Sequence, residues 1–106
     1  MENQINLKYI GFEELQPGYN HPKLTDSMES GPYPHKEEII HFLLNGNIEF
    51  VRVSRVRDVF TGEYIPTEVR VMQDGDYCWS NVLAWYVDKY NVRLPREFEE
   101  YILSKK

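Results

Sequence analysis

Apolar residues recur at helical spacing in three stretches of the chain and alternate with polar ones in a fourth. Between Pro34 and Leu44, Ile39, Phe42 and Leu43 share one face with Ile40 on its flank, while Glu37, Glu38 and His41 fall on the other. Pro34 suits the first helical position, where its missing N–H costs nothing. Glu37 and Glu38 set negative charge at the positive end of the helix dipole. Asn45-Gly46 is expected to stop this helix with a left-handed cap. A second helix is predicted from Asn81 to Tyr90, with Ser80 as N-cap, Asn91 as C-cap, and Leu83, Tyr86, Val87 and Tyr90 on one stripe. A third begins at Leu94-Pro95 and runs to about Ser104 on Phe98, Tyr101 and Ile102, with Lys105 suiting its negative end.

The middle of the chain reads as β-structure. A strand is predicted over Ile48 to Phe60, with Val51 and Val53 on one face, Arg52 opposite, and a bulge near Ser54-Arg55 where the alternation slips. Thr61-Gly62 reads as a hairpin turn into a second strand over Glu63 to Met72, in which Pro66 implies an edge position or a break. Asp74-Gly75 is a strong tight-turn signal, and Tyr77 to Trp79 return as a short third strand. Residues 1–34 form an irregular N-terminal arm. A short strand is expected over Asn6 to Phe12, and Pro17, Pro22, Pro32 and Pro34 oppose regular structure further on. The arm is either an ordered loop wrapped over the core or a mobile extension. The order predicts one α+β domain over 1–106: a small antiparallel sheet of two to four strands with about three helices on one face. Its 35–106 core reads helix, hairpin, helix, helix.

Composition narrows the class of function. The chain has 106 residues, 42% hydrophobic and 14% aromatic, which is a globular and not a disordered composition. A net charge of −5 argues against a dedicated nucleic-acid binder. The single cysteine, Cys78, excludes an intrachain disulfide and a thiolate-rich zinc site. The first twenty residues carry Glu2, Glu13 and Glu14 and no apolar run of leader length, and no stretch approaches the roughly 20 apolar residues of a membrane span. A cytoplasmic protein is expected, with no membrane partner.

No residue pattern names a reaction. His21, His35 and His41 do not share a face, so no metal site is expected. Cys78 lies among Asp76, Tyr77 and Trp79, a setting that raises a thiol pKa, and it reads as a buried thiol under the final helices. No phosphate-binding or dinucleotide glycine loop occurs, and no cofactor is expected. The one polar concentration is acidic: Asp58, Glu63, Glu68, Asp74 and Asp76 stand against Arg70 alone. These carboxylates could serve metal-assisted hydrolysis, present an anionic surface to a basic partner, or simply line turns and solvent. Arg52, Arg55 and Arg57, near Phe50 and Tyr64, could bind nucleic acid, but read more simply as a solvated strand face paired to Glu63 or Glu68. Trp85 falls on the polar side of its helix. It needs either a cover, from the arm or the last helix, or a role as an interface anchor.

The run Asp74-Gly75-Asp76-Tyr77-Cys78-Trp79-Ser80, then Leu83-Ala84-Trp85-Tyr86-Val87-Asp88-Lys89-Tyr90 and Leu94-Pro95-Arg96-Glu97-Phe98, resembles the tail of small bacterial immunity proteins. These are encoded beside polymorphic or contact-dependent growth-inhibition toxins. The resemblance implies a compact, acidic, non-enzymatic protein that neutralises a cognate toxin domain by stoichiometric binding. On this reading Asp58, Glu63, Tyr64, Glu68, Asp74, Asp76 and Trp85 would meet a basic toxin, a nuclease being the expected kind. The competing readings are a small metal-dependent hydrolase or nuclease using the 58–76 carboxylates, and a homodimeric interaction module built on Trp85 or an edge strand.

Overall fold

The computed structural model describes residues 7–18, 20–52 and 55–105, with the backbone alone at Phe50 and Arg52. Its elements are β1 (Lys8–Ile10), α1 (Lys36–Leu44), β2 (Asn47–Arg52), β3 (Val69–Asp74), β4 (Tyr77–Ser80), α2 (Val82–Tyr90) and α3 (Arg96–Leu103). The four strands form one sheet in the order β1-β4-β3-β2. The three later strands are antiparallel neighbours, but β1 lies parallel to β4, so the sheet is mixed and not purely antiparallel. The reason is topological: β1 belongs to the N-terminal arm, and no hairpin joins it to β4. The fold is a small α+β structure, as the residue pattern predicts.

The sheet register lines up one buried row. Trp79 pairs with Ile10 on one side and with Met72 on the other, and none of the three exceeds 4% exposure. Helices α1 and α3 cover this row. Phe42 stacks on Trp79 at 5.3 Å, and Phe98 lies 5.5 Å from it. The Trp79 indole N–H donates to the Leu43 carbonyl at 2.9 Å, so the largest core side chain also holds one of the last carbonyls of α1. Ile39 and Leu43 are buried from α1, Phe98 and Ile102 from α3. Helix α2 buries Val82 and Ala84 besides the expected Leu83, Tyr86 and Val87, and its Asn91 is the left-handed C-cap (φ 55°). At its start the N-cap is Asn81 and not Ser80, whose Oγ accepts the Val82 N–H at 3.2 Å.

Both ends of α1 also differ from expectation. Helix α1 starts at Lys36 and not Pro34, because His35 takes a left-handed conformation (φ 67°) and its ring bonds Glu38. At the other end Asn45 (φ −125°) is not left-handed. Gly46 is demanded instead by close approach: a Cβ there would meet Trp79 Cζ2 at 2.8 Å and the Gln73 carbonyl oxygen at 3.3 Å. Gly46→Ala is therefore expected to cost about 1–3 kcal/mol, the usual range for overpacking, in a chemical-denaturation measurement.

The arm is wrapped and ordered over its described part. Phe12 and Leu24 are fully buried. Met28 bridges to Val92, the Arg93 N–H donates to the Ser27 carbonyl, and the Tyr33 hydroxyl donates to the Val92 carbonyl. Between β2 and β3 the chain leaves the sheet, so the long strands predicted over Ile48 to Phe60 and Glu63 to Met72 are shorter than expected. The bulge expected near Ser54-Arg55 falls partly outside the described residues, which omit 53–54, while the described register shifts between Ile48 and Phe50. Pro66 marks the break before β3. The Asp74-Gly75 turn closes β3 onto β4 as expected, with Gly75 at φ 59°.

Candidate functional site

The excursion between β2 and β3 builds a second, small hairpin. Arg57 bridges to Tyr64, the Asp58 N–H donates to the Glu63 carbonyl, and the Ile65 N–H donates to the Val56 carbonyl. Asp58 makes the turn: its Oδ1 accepts the N–H groups of Phe60 (2.7 Å) and Thr61 (3.2 Å), mimicking a backbone turn. Gly62 completes it at φ 77°. The other oxygen, Oδ2, accepts from the Trp85 indole N–H (2.8 Å) and the Tyr90 hydroxyl (2.7 Å). The Tyr86 hydroxyl accepts the Val59 N–H at 3.0 Å, and the Phe60 ring sits 4.8 Å from that of Tyr90. One buried carboxylate thus ties the hairpin to three aromatic residues of α2, directly or through its neighbours.

Electrostatics follow from these contacts. Burial pushes the Asp58 carboxyl up, but the bonds from Trp85, Tyr90, Phe60 and Thr61 together outweigh it and leave the pKa below the ordinary value. The hydrogen bond to that carboxylate, together with burial, raises the Tyr90 hydroxyl to about 12. The tip of the hairpin faces solvent. Val59, Phe60 and Tyr64 are each 40–44% exposed, and the guanidinium carbons of Arg55 and Arg57 both lie 4.1 Å from the Tyr64 ring centroid.

The seven expected site residues do not form one surface. Asp58 is 2% exposed with its carboxylate turned inward, so it braces the hairpin and cannot meet a partner. Glu63 and Tyr64 are exposed on that hairpin. Glu68 pairs with Arg70 before the body of β3, and Asp74 lies at the far end of that strand, about 20 Å away at the usual rise per residue. There Asp74 accepts the Tyr101 hydroxyl and lies 3.7 Å from the Lys105 ammonium, while Asp76 is exposed beside it. Among the described residues no three His, Cys, Asp or Glu side chains gather as a metal site requires.

Trp85 is part-buried and held by the hairpin, whose Asp58 accepts its N–H. Its ring lines a shallow depression of about 200 Å³ with Ile40, Leu44, Ile65 and Pro66. Cys78 is half-buried on the sheet face opposite Trp79, away from α1 and α3, and burial raises its thiol pKa. Arg57 donates to the Gly62 carbonyl and the Tyr64 hydroxyl, not to Glu63 or Glu68.

Val59 and Phe60 carry no signal in a search for chemistry. The residue pattern places both in the strand predicted over Ile48 to Phe60, whereas they fall in the turn that Asp58 and Gly62 make.

Comparison with known proteins adds no family. No family model matches the chain, and no match is found among curated proteins or solved structures. Among the described residues no helix is long and apolar enough to cross a membrane.

Proposed function

We propose that this chain is a non-enzymatic binding protein of the immunity type, which neutralises a cognate bacterial toxin in the cytoplasm by docking through the 57–64 hairpin. The observation that carries this reading is a turn braced through a buried carboxylate that leaves Val59, Phe60 and Tyr64 each about two-fifths exposed. A turn bonded through a buried carboxylate loses little conformational freedom on binding, which is what a tight interface needs. Tyrosine and arginine are also the residue types that dominate binding energy at protein interfaces. The net charge of −5 supports a basic toxin, such as a nuclease, through long-range attraction. The hydrolase alternative has less support, because it needs carboxylates within metal-bridging reach of one another.

The test is co-expression with the product of the adjacent gene, scored by growth rescue and co-purification. The native chain is expected to rescue and co-purify. Val59→Asp combined with Tyr64→Asp is expected to weaken binding by about 30-fold or more, with little change in melting temperature at such exposed positions. A toxin-like partner bound equally well by this double variant, or no bound partner at all, overturns the reading.

A further inference from the structure

Among the described residues, the hairpin holds an arginine whose N–H groups meet no acceptor. Of the described arginine side chains, Arg57, Arg70, Arg93 and Arg96 each donate to a carbonyl, hydroxyl or carboxylate. Arg55 differs. Its guanidinium is stacked at 4.1 Å on Tyr64, and its N–H groups meet no acceptor among the described residues. A guanidinium set over a ring face, with no acceptor on its N–H groups, keeps the donor fork that takes a carboxylate with two parallel hydrogen bonds. Val59 and Phe60 follow in the turn of the same hairpin, and they and Tyr64 are each about two-fifths exposed. The exposed charge of the tip is Arg55, Arg57 and Glu63, so the working end of this acidic chain is locally cationic.

We infer that Arg55 captures a carboxylate of a partner protein, and that the complementary face is an apolar depression rimmed by acid, which receives Val59, Phe60 and Tyr64. This deepens the binding role proposed above and rests on it for the hairpin's being the interface. It also reverses the local expectation drawn from net charge. The partner can be basic overall, drawn in at long range, yet must present an acidic group where the hairpin lands. A protein surface fits better than a nucleic acid, because the hairpin offers two aliphatic or aromatic groups, Val59 and Phe60, besides Tyr64.

The experiment uses the full chain, ¹⁵N-labelled, titrated with hexaglutamate and separately with oligothymidylate of equal charge, following the arginine Nε–H signals. The expected result is a saturable shift of the Arg55 signal with hexaglutamate at lower concentration than with oligothymidylate, and little movement of Arg70 or Arg96. Equal movement of all three arginines overturns the assignment, and tighter response to oligothymidylate replaces it with a nucleic-acid contact. In the complex with the adjacent gene's product, Arg55→Lys is expected to weaken binding about tenfold, since an ammonium cannot form the fork, and Arg55→Glu more. If Val59→Asp with Tyr64→Asp releases the partner but both Arg55 variants bind normally, the Arg55 inference falls and the hairpin reading stands. If that product does not bind at all, the reading of function falls and the hexaglutamate titration alone decides on Arg55.

Discussion

Replacing Asp58 by Ala is expected to lower stability by about 3 kcal/mol, because four donors lose their common acceptor at once. The Trp85 indole N–H, the Tyr90 hydroxyl and the N–H groups of Phe60 and Thr61 all converge on this carboxylate. For a domain of this size the melting temperature would fall by about 12–20 °C. Asp58→Asn is the sharper control. Its amide oxygen can still close the turn, but its NH₂ then faces the Trp85 and Tyr90 donors.

The same contacts fix the pH dependence. The folded pKa of Asp58 lies below its unfolded value, so its stabilisation is present above the ordinary carboxylate pKa and is lost as pH falls through the lowered one. Tyr90 acts in the opposite sense. Its pKa is raised to about 12, so its contribution is intact below the ordinary tyrosine value of 10.0 and is lost as pH climbs from there towards 12. Urea melts across pH, read by tryptophan fluorescence, should show both flanks. Tyr90→Phe should remove part of the alkaline flank, since burial raises Tyr33 to about 12 as well, and Asp58→Asn part of the acid one. A native pH profile unchanged in both variants would contradict the bracing role.

The second large effect belongs to Trp79. Trp79→Ala is expected to cost about 4 kcal/mol, within the range for emptying a large aromatic site in a core. The indole is fully buried between Phe42 and Phe98, and its N–H holds the Leu43 carbonyl. Trp79→Phe helps to separate the two contributions, since it keeps much of the packing while removing the hydrogen bond, which alone accounts for about 1–2 kcal/mol. Equal losses in both variants would mean that the bond to α1, and not the filled volume, fixes this part of the core. Guanidinium unfolding, with circular dichroism as the signal, measures both.

Much of the fold was legible because local rules act over a few residues. The stripe Phe98–Ile102, the left-handed Asn91 and the Asp74-Gly75 turn each need only the chain beside them. Gly46 shows where such reading fails. It follows a helix and so resembles a cap, yet what excludes a side chain there is Trp79, thirty-three positions further along. The acidic run failed for a similar reason. Asp58 and Asp74 belong to one stretch of sequence, but the first is drawn inward by α2 and the second outward to the end of β3, beside α3. Linear charge density cannot distinguish a carboxylate that faces a partner from one that faces a tryptophan. Trp85 was recognisable as a misfit, and its partner was not, because the hairpin that supplies it returns from outside the sheet.

By itself the sequence determined the element order, the turns and the apolar faces, since these follow from spacing and from the backbone preferences of proline, glycine and asparagine. Only the tertiary structure decided that β1 joins the sheet in parallel, that Asp58 is a brace and not a contact, and that the exposed tip carries Val59, Phe60, Tyr64 and a stacked Arg55. Those outcomes depend on which distant groups satisfy buried donors and acceptors, and a hydrogen bond between residues 58 and 85 leaves no mark on the residues in between.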